Sequence, residues 1–117
     1  MITVLEILKN EFKELGLPYT YDEWDKETSL PQFIGEIYEL PTVDEDGMNE
    51  YTFILTGYAT SYSELFAFSE QLKRKYKTSA IVGGVVIKYD STTTIDNGTE
   101  DLKQIQITLK IKQWSVY

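Results

Sequence analysis

The fold is decided by Tyr51-Thr-Phe-Ile-Leu-Thr-Gly-Tyr58, a helical pattern over residues 62–77, and then Ala80-Ile-Val-Gly-Gly-Val-Val-Ile-Lys-Tyr89. At 100° per residue, the helical segment places its apolar side chains on one face: Tyr62, Leu65, Phe68, Leu72 and Tyr76. Ser61 and Glu64 have the spacing of a capping box at its start. Burying each apolar side chain contributes roughly 2 kcal/mol, whereas ordering each residue's backbone costs about 1–2 kcal/mol. The helix therefore needs a sheet to lie on.

A second helix is predicted near the start of the chain. Residues 3–15 have apolar side chains at helical spacing, and Thr3 with Glu6 again has capping-box spacing. Gly16 fits the left-handed position that ends many helices, and Pro18 prevents any continuation. Its apolar stripe must also pack on a sheet.

Alternation and turn residues predict the remaining strands. Residues 32–39 form a strand that Leu40-Pro41 closes, and it pairs with residues 50–58 as an antiparallel hairpin. Tyr19-Thr-Tyr21 is a short extended piece. Residues 102–114 alternate between apolar and polar side chains, which indicates one buried and one wet face.

The fold class that follows is α+β, a two-layer sandwich of two helices on a four-stranded mixed or antiparallel sheet, in the order α-β-β-α-β-β. The 117 residues are expected to form a single domain. A helical crossover makes strands 51–58 and 80–90 point the same way, either as neighbours or separated by residues 102–114. Gly83-Gly84 is interpreted as a bulge or close backbone approach within a strand. Residues 90–100 form a polar loop with a turn at Asn97-Gly98.

Composition excludes several classes of function. Nineteen acidic against 11 basic residues give a net charge of −8, which disfavours nucleic-acid binding because such grooves need clustered Lys and Arg. The chain has no Cys and no His, so a cysteine nucleophile, the commonest general base and the commonest metal ligand are missing. We therefore predict no catalytic residue, cofactor or metal site, and a protein that is not an enzyme. No signal-peptide pattern or membrane-spanning run is found in the sequence, which favours the cytoplasm of the producing cell and no membrane contact.

The densest carboxylate group is Asp22, Glu23, Asp25 and Glu27. Oxygen ligands suit calcium or magnesium, and paired carboxylates suit acid–base chemistry. The spacing lacks the Gly and the final Glu of a calcium loop, so a solvated acidic loop is preferred. Asp44-Glu-Asp-Gly47 is explained by a hairpin turn. A small enzyme that uses residues 22–27 on a sugar or a metal-bound substrate is the least favoured alternative.

A protein–protein surface is the favoured type of site. The one basic run, Lys73-Arg-Lys-Tyr-Lys77, falls in the last turns of its helix, where cations complement the helix dipole. Phe66 lies off the apolar stripe of the same helix. The predicted interface is therefore Phe66, Lys73, Arg74, Lys75 and Lys77, with an acidic counterpart in Asp22, Glu23, Asp25 and Glu27.

The whole layout resembles a known family. The features that match are a helix ending at Gly16-Leu-Pro18, the stretch Pro31-Gln-Phe-Ile-Gly35, the strand 51–58 leading into the helix from Ser61, and a final strand ending in Thr108-Leu-Lys-Ile-Lys-Gln-Trp114. In layout, size and acidity, nearly the full chain resembles the tail terminator (tail completion or minor capsid) proteins of long-tailed bacteriophages and prophages.

The resemblance implies a non-enzymatic virion protein of the tail, assembled in the bacterial host cytoplasm. Such proteins form a homo-oligomeric ring, commonly a hexamer, on the finished tail tube and then bind the head connector. Ring closure needs a heterologous contact, for which residues 73–77 against residues 22–27 or 44–46 are the predicted pair. The loop with Asp96 and Asn97 suits contacts with tube or connector proteins. The alternative is a small acidic cytosolic adaptor or regulator that binds a host protein.

Overall fold

The computed structural model describes residues 2–22, 30–43, 48–96, 98 and 101–114. Within these residues the chain forms two helices and six strands. In chain order they are α1 (Ile2–Glu14), β1 (Tyr19–Tyr21), β2 (Gln32–Val43), β3 (Met48–Ala59), α2 (Tyr62–Tyr76), β4 (Ala80–Val82), β5 (Val85–Ile95) and β6 (Lys103–Trp114). The predicted α+β class is confirmed. The predicted number of strands and the order α-β-β-α-β-β are wrong, since the described order is α-β-β-β-α-β-β-β.

The strands form one mixed sheet in the order β1-β2-β3-β6-β5-β4. The β1–β2 pair is parallel, and every other neighbouring pair is antiparallel. The predicted β2–β3 hairpin is confirmed, with Phe33 opposite Gly57 and Ile37 opposite Phe53. β3 and β5 point the same way, and β6 lies between them. The crossover through α2 leads into β4, however, and β4 runs opposite to β3, so the prediction that residues 80–90 run parallel to residues 51–58 is right only for the β5 part.

The single strand predicted over residues 80–90 is wrong, because Gly83 and Gly84 form a turn between β4 and β5. Their φ angles are 57° and 81°, and a two-residue hairpin turn with both φ angles positive strongly favours glycine. β4 therefore folds back along β5, with Ala80 opposite Ile87. The extra hairpin adds an edge strand that the four-stranded prediction did not contain.

Two strands also extend beyond their predicted ends. β5 continues to Ile95 through Thr92-Thr93-Thr94, β-branched residues that suit strands, so the loop predicted over residues 90–100 is too long. The register shifts between Tyr89 and Ser91. β2 continues past Leu40-Pro41 to Val43, with a register shift between Glu39 and Val43. A shifted register lets a strand contain a proline that cannot donate a ladder hydrogen bond.

The predicted end of the first helix is confirmed, but both predicted capping boxes are wrong. Gly16 has φ 71°, its N–H donates to the Lys13 carbonyl at 3.1 Å, and the Leu17 N–H donates to the Phe12 carbonyl at 2.9 Å. This pattern satisfies two carbonyls at the end of α1. At the start of α2, the Ser61 side chain makes no capping hydrogen bond. α1 begins at Ile2, so Thr3 lies inside the helix.

The hydrophobic core lies between the two helices and one face of the sheet. Its buried members from α2 and the central strands include Leu65, Leu72, Tyr76, Phe53, Leu55, Ile105, Ile107, Leu109 and Ile111. The Phe12 ring of α1 packs 5.8 Å from that of Phe53, and the Phe33 ring packs 5.3 Å from that of Phe68 in α2. Both helices therefore cover the same face, which leaves the other face of the sheet, called the outer face below, without a helix among the described residues.

Candidate interaction surfaces

The large exposed apolar residue of α2 is Phe66, as its position off the stripe predicts. Its side chain is 41% exposed, and its ring stacks on that of Tyr62 with the centroids 5.7 Å apart. The Lys103 ammonium lies 5.6 Å from the Tyr62 ring centroid, so the start of β6 also contacts this pair. Phe66 therefore presents a supported aromatic surface at the N-terminal end of α2.

The Lys75 side chain forms ion pairs within the chain. Its Nζ lies 3.2 Å from a Glu11 carboxylate oxygen and 3.7 Å from one of Glu14, both on α1. The Tyr76 hydroxyl donates to the same Glu11 oxygen at 2.7 Å. Glu11 is only 8% exposed and Tyr76 is fully buried, so these contacts tie α2 to α1 at the boundary of the core. Burial raises the pKa of Tyr76, and the hydrogen bond to Glu11 raises that pKa further.

The other basic residues of α2 point to solvent. Lys73, Arg74 and Lys77 are exposed, and none of the three forms a salt bridge within the described part of the chain. Lys77 is the C-cap residue, where a cation complements the helix dipole. Among the described residues, three members of the predicted basic interface thus have no acidic partner, while Lys75 ties α2 to α1.

The predicted acidic counterpart is described only in part. Asp22 is exposed at the end of β1, has φ 57°, and donates its backbone N–H to the Gly35 carbonyl at 2.9 Å. Glu23, Asp25 and Glu27 lie outside the described residues, as does the segment 44–47.

The predicted turn residues divide in the same way. Asp96 is exposed, and its Oδ1 accepts a hydrogen bond of 3.0 Å from the Gly98 N–H, a side-chain-to-backbone turn that fixes its carboxylate. Asn97 lies outside the described residues.

The β1–β2 side of the sheet has an acidic and aromatic group, called the acidic edge below, made of Tyr21, Asp22, Glu36 and Tyr38. The two tyrosines are 40% and 50% exposed. The Tyr38 hydroxyl donates to the Glu36 carboxylate, and this bond, with the charges of Glu36 and Asp22, raises the pKa of Tyr38. Sequence reasoning missed this group because it did not pair the short extended piece at residues 19–21 with the strand that follows it.

The outer face of the sheet contains a groove of about 470 Å³ lined by three lysines. Lys88 on β5 lies directly opposite Lys110 on β6, and Lys112 follows two residues later on the same face. The Lys112 ammonium lies 3.5 Å from Glu50 on β3, whereas Lys88 and Lys110 form no salt bridge among the described residues. Like charges directly opposite each other across strands are destabilising. Among the described residues, the lysine groove therefore contains one adjacent lysine pair, Lys88 and Lys110, without an acidic partner.

The lysine groove was missed by sequence reasoning, although part of its signal was visible. Lys110 and Lys112 fall on the polar side of the alternating strand, but Lys88 joins them only when β5 lies beside β6. That neighbour relation was left open by the sequence.

Within the described ranges, no three acidic side chains lie close enough together to share a metal ion. No helix in that part of the chain is long and apolar enough to cross a membrane. Comparison with protein-family models gives no match to this chain, and comparison with curated proteins gives none either.

Proposed function

We propose that this protein is a non-enzymatic structural component of a bacteriophage or prophage, a tail terminator or tail completion subunit that forms a ring at the head–tail junction. Its partners would be further copies of itself, the tail tube and the head connector. The observation that carries the proposal is the one-sided sheet, whose outer face and long strands leave large surfaces for protein contacts.

The outer face suits contact with protein rather than burial in a core. On the central strands its side chains are mostly polar, with Thr52, Thr56 and Tyr58 on β3 and Gln104, Gln106 and Thr108 on β6. These residues are half-buried by their neighbours, so they form a packed polar surface. A ring subunit needs two different surfaces for its neighbours and further surfaces for the tube and the connector.

The charge of the chain agrees with a position around a DNA channel. A net charge of −8 repels the phosphate backbone, so DNA would pass such a ring without adhering. The exposed residues of α2, Phe66, Lys73, Arg74 and Lys77, and the turn at Asp96 are proposed as contacts with the tube or the connector.

Disruption of the gene tests this function directly. In the strain that carries it, loss of a terminator should give tails of uncontrolled length without attached heads in induced lysates viewed by electron microscopy. A plasmid with the intact gene should restore normal particles, and the empty plasmid should not. Genes for tail-tube and head-completion proteins are expected on either side. Normal particles after disruption would refute the proposal, and a strict monomer that binds a host protein would favour the adaptor instead.

A further inference from the structure

We propose that copies of this chain join head to tail, with one flank of α2 in one copy packed on the outer face of the sheet in the next. The α2 flank consists of Phe66, Glu70, Lys73 and Lys77. The surface that it meets, called the β5 patch, consists of Ile81, Val86, Lys88 and Lys110. The contact deepens the proposed function and rests on it, because it supplies the subunit interface of the ring.

The α2 flank is an exposed side of its helix. Its four members follow one another at intervals of three or four residues, so they lie on one side of α2. All four are exposed. Lys75 lies on the opposite side of the helix, where it forms its ion pairs with Glu11 and Glu14 of α1. The flank therefore points away from α1 and toward solvent.

The β5 patch lies on the outer face at the β4 edge of the sheet. Ile81 on β4 is opposite Val86 on β5. Lys88 follows two residues after Val86 and is opposite Lys110 on β6. Ile81 is 74% exposed, and both lysines are exposed, so the patch has an apolar pair beside a cationic pair. Since β1 is at the other edge of the sheet, a helix can lie on the patch without displacing a strand.

The two surfaces have the same order and nearly the same spacing. Four residues of helix, from Phe66 to Glu70, span about 6 Å, and two residues of strand, from Val86 to Lys88, span about 7 Å. When α2 runs along β5 in the same direction, the Phe66 ring covers the apolar pair while the Glu70 carboxylate reaches the cationic pair. The contact would thereby bury exposed apolar surface and give the lysines a counter-charge.

The charges favour a second copy as the occupant of the patch. Lys88 and Lys110 form no salt bridge among the described residues, and neither does Glu70. Because like charges directly opposite each other destabilise a pair of strands, a neighbour's carboxylate at the two lysines would relieve that repulsion. Asp90 is exposed two residues after Lys88, so the neighbour's Lys73 ammonium would lie toward a carboxylate and not toward the cationic pair.

This contact has the symmetry that a ring needs. The α2 flank and the β5 patch are different surfaces, so the contact is heterologous, and it generates a ring when the rotation from copy to copy closes. Each copy has both surfaces and can bind one neighbour with each. The contact assigns Phe66, Lys73 and Lys77 to a neighbouring copy, and it leaves Arg74 and the turn at Asp96 for the tube and the connector.

Cross-linking tests the contact directly, because the chain has no cysteine. Lys73→Cys places a thiol on the α2 flank, and Ser91→Cys places one on β5, three residues beyond Lys88. An equimolar mixture of the two, one with a tag that changes its size, should give a mixed dimer with a short bismaleimide at the highest soluble concentration. The matched mixture of Gln71→Cys with Ser91→Cys should give several-fold less, since Gln71 is exposed on another side of α2. Equal yields, or no mixed dimer, would overturn the proposal.

Charge reversal adds an independent test by sedimentation analysis. Glu70→Lys should weaken self-association by about tenfold. It does so although the net charge changes from −8 to −6, with one carboxylate lost and one ammonium gained, which reduces general repulsion. Glu64→Lys makes the same change in net charge on the same helix but outside the flank, and it should not weaken association. Equal effects of the two variants would contradict the contact.

A swapped pair identifies the partner of Glu70. Lys110→Glu alone should also weaken self-association by about tenfold. The chain with both Glu70→Lys and Lys110→Glu should recover much of the lost affinity, because every junction then has a swapped pair. The substituted positions are exposed, so circular dichroism should stay unchanged. Failure of the double variant to recover would refute the pairing of Glu70 with the cationic pair.

The contact and the function can fail separately. Mixed dimers together with normal particles after gene disruption would keep the contact and reject the terminator role. Overlong tails without mixed dimers would keep the role, reject this contact and leave the β5 patch to a tube or connector protein.

Discussion

Replacing Gly57 by alanine should destabilise the protein, although glycine is normally a weak strand residue. Gly57 lies on β3 in the middle of the sheet, and its missing side chain makes room for the Phe33 ring. An added Cβ would lie 2.8 Å from Phe33 Cδ1, closer still to Cε1, and 3.0 Å from a methyl carbon of Leu65. Phe33 and Leu65 are fully buried, so neither can move into solvent.

The sign of the effect follows from two opposing magnitudes. Removing a glycine lowers the entropy of the unfolded chain and stabilises by about 0.4–1 kcal/mol. Forcing an extra methyl group into a packed core costs about 1–3 kcal/mol, and three atoms closer than ordinary contact place Gly57 at the upper end of that range. The net loss should therefore be about 1–2 kcal/mol, or roughly 4–8 °C in Tm for a chain of this size.

Urea unfolding followed by circular dichroism measures this loss, and a double-mutant cycle assigns its cause. Phe33→Leu alone should destabilise, because it leaves space in the core. Gly57→Ala combined with Phe33→Leu should cost less than the sum of the two, by about 1 kcal/mol, since the removed ring no longer meets the added methyl group. Additive effects, or a stabilised Gly57→Ala variant, would show that the ring does not depend on the missing Cβ.

Three further predictions use the same unfolding assay. Tyr76→Phe should cost about 1.5–3 kcal/mol near neutral pH, because it removes a buried hydrogen bond to the Glu11 carboxylate. Because the pKa of Tyr76 is raised in the folded chain, the folded chain keeps the Tyr76 proton at a pH above 10.0, where the unfolded chain loses it. The free energy of unfolding of the wild type should therefore fall as the pH rises past 10.0. The fall should be smaller in Tyr76→Phe, and an equal fall in both proteins would contradict this. Lys75→Met should cost about 0.5–1 kcal/mol through its lost ion pairs. The matched Lys73→Met should change stability by less than about 0.5 kcal/mol. Equal losses in the two variants would show that the ion pairs of Lys75 with α1 do not stabilise the fold. Gly84→Ala should cost about 1–2 kcal/mol because its φ is 81°, although no atom lies within 4 Å of the added Cβ, and a neutral result would contradict the turn.

The sequence predicts correctly those helices and strands whose signal lies within a few neighbouring residues. The stripe from Leu65 to Tyr76 predicted a buried helical face, and the alternation of residues 102–114 predicted β6, because side-chain period alone defines both. The end of α1 at Gly16 was also predictable, since few other residues adopt a positive φ easily.

Pattern reasoning failed where two local signals compete. Gly83-Gly84 is flanked by apolar β-branched residues on both sides, which suggests an unbroken strand as readily as a hairpin. The competing signal was the glycine pair itself, a preferred sequence for a two-residue turn. At Ser61 and Glu64 the sequence signal was present but the contact was not: the residues have capping-box spacing, yet the Ser61 side chain makes no capping hydrogen bond.

The surfaces were harder to predict than the core, because each depends on which strands become neighbours. Lys75 belongs to a basic run in the sequence, yet Glu11, 64 positions earlier, occupies it. Lys88 and Lys110 are 22 positions apart, yet the sheet order places them side by side without an acidic partner among the described residues. The basic run in the sequence therefore overstated how many of its side chains are left without an acidic partner, and the distance between Lys88 and Lys110 in the sequence hid that they are neighbours in the sheet. Because like charges directly opposite each other destabilise a pair of strands, the Lys88–Lys110 pair costs the isolated chain stability.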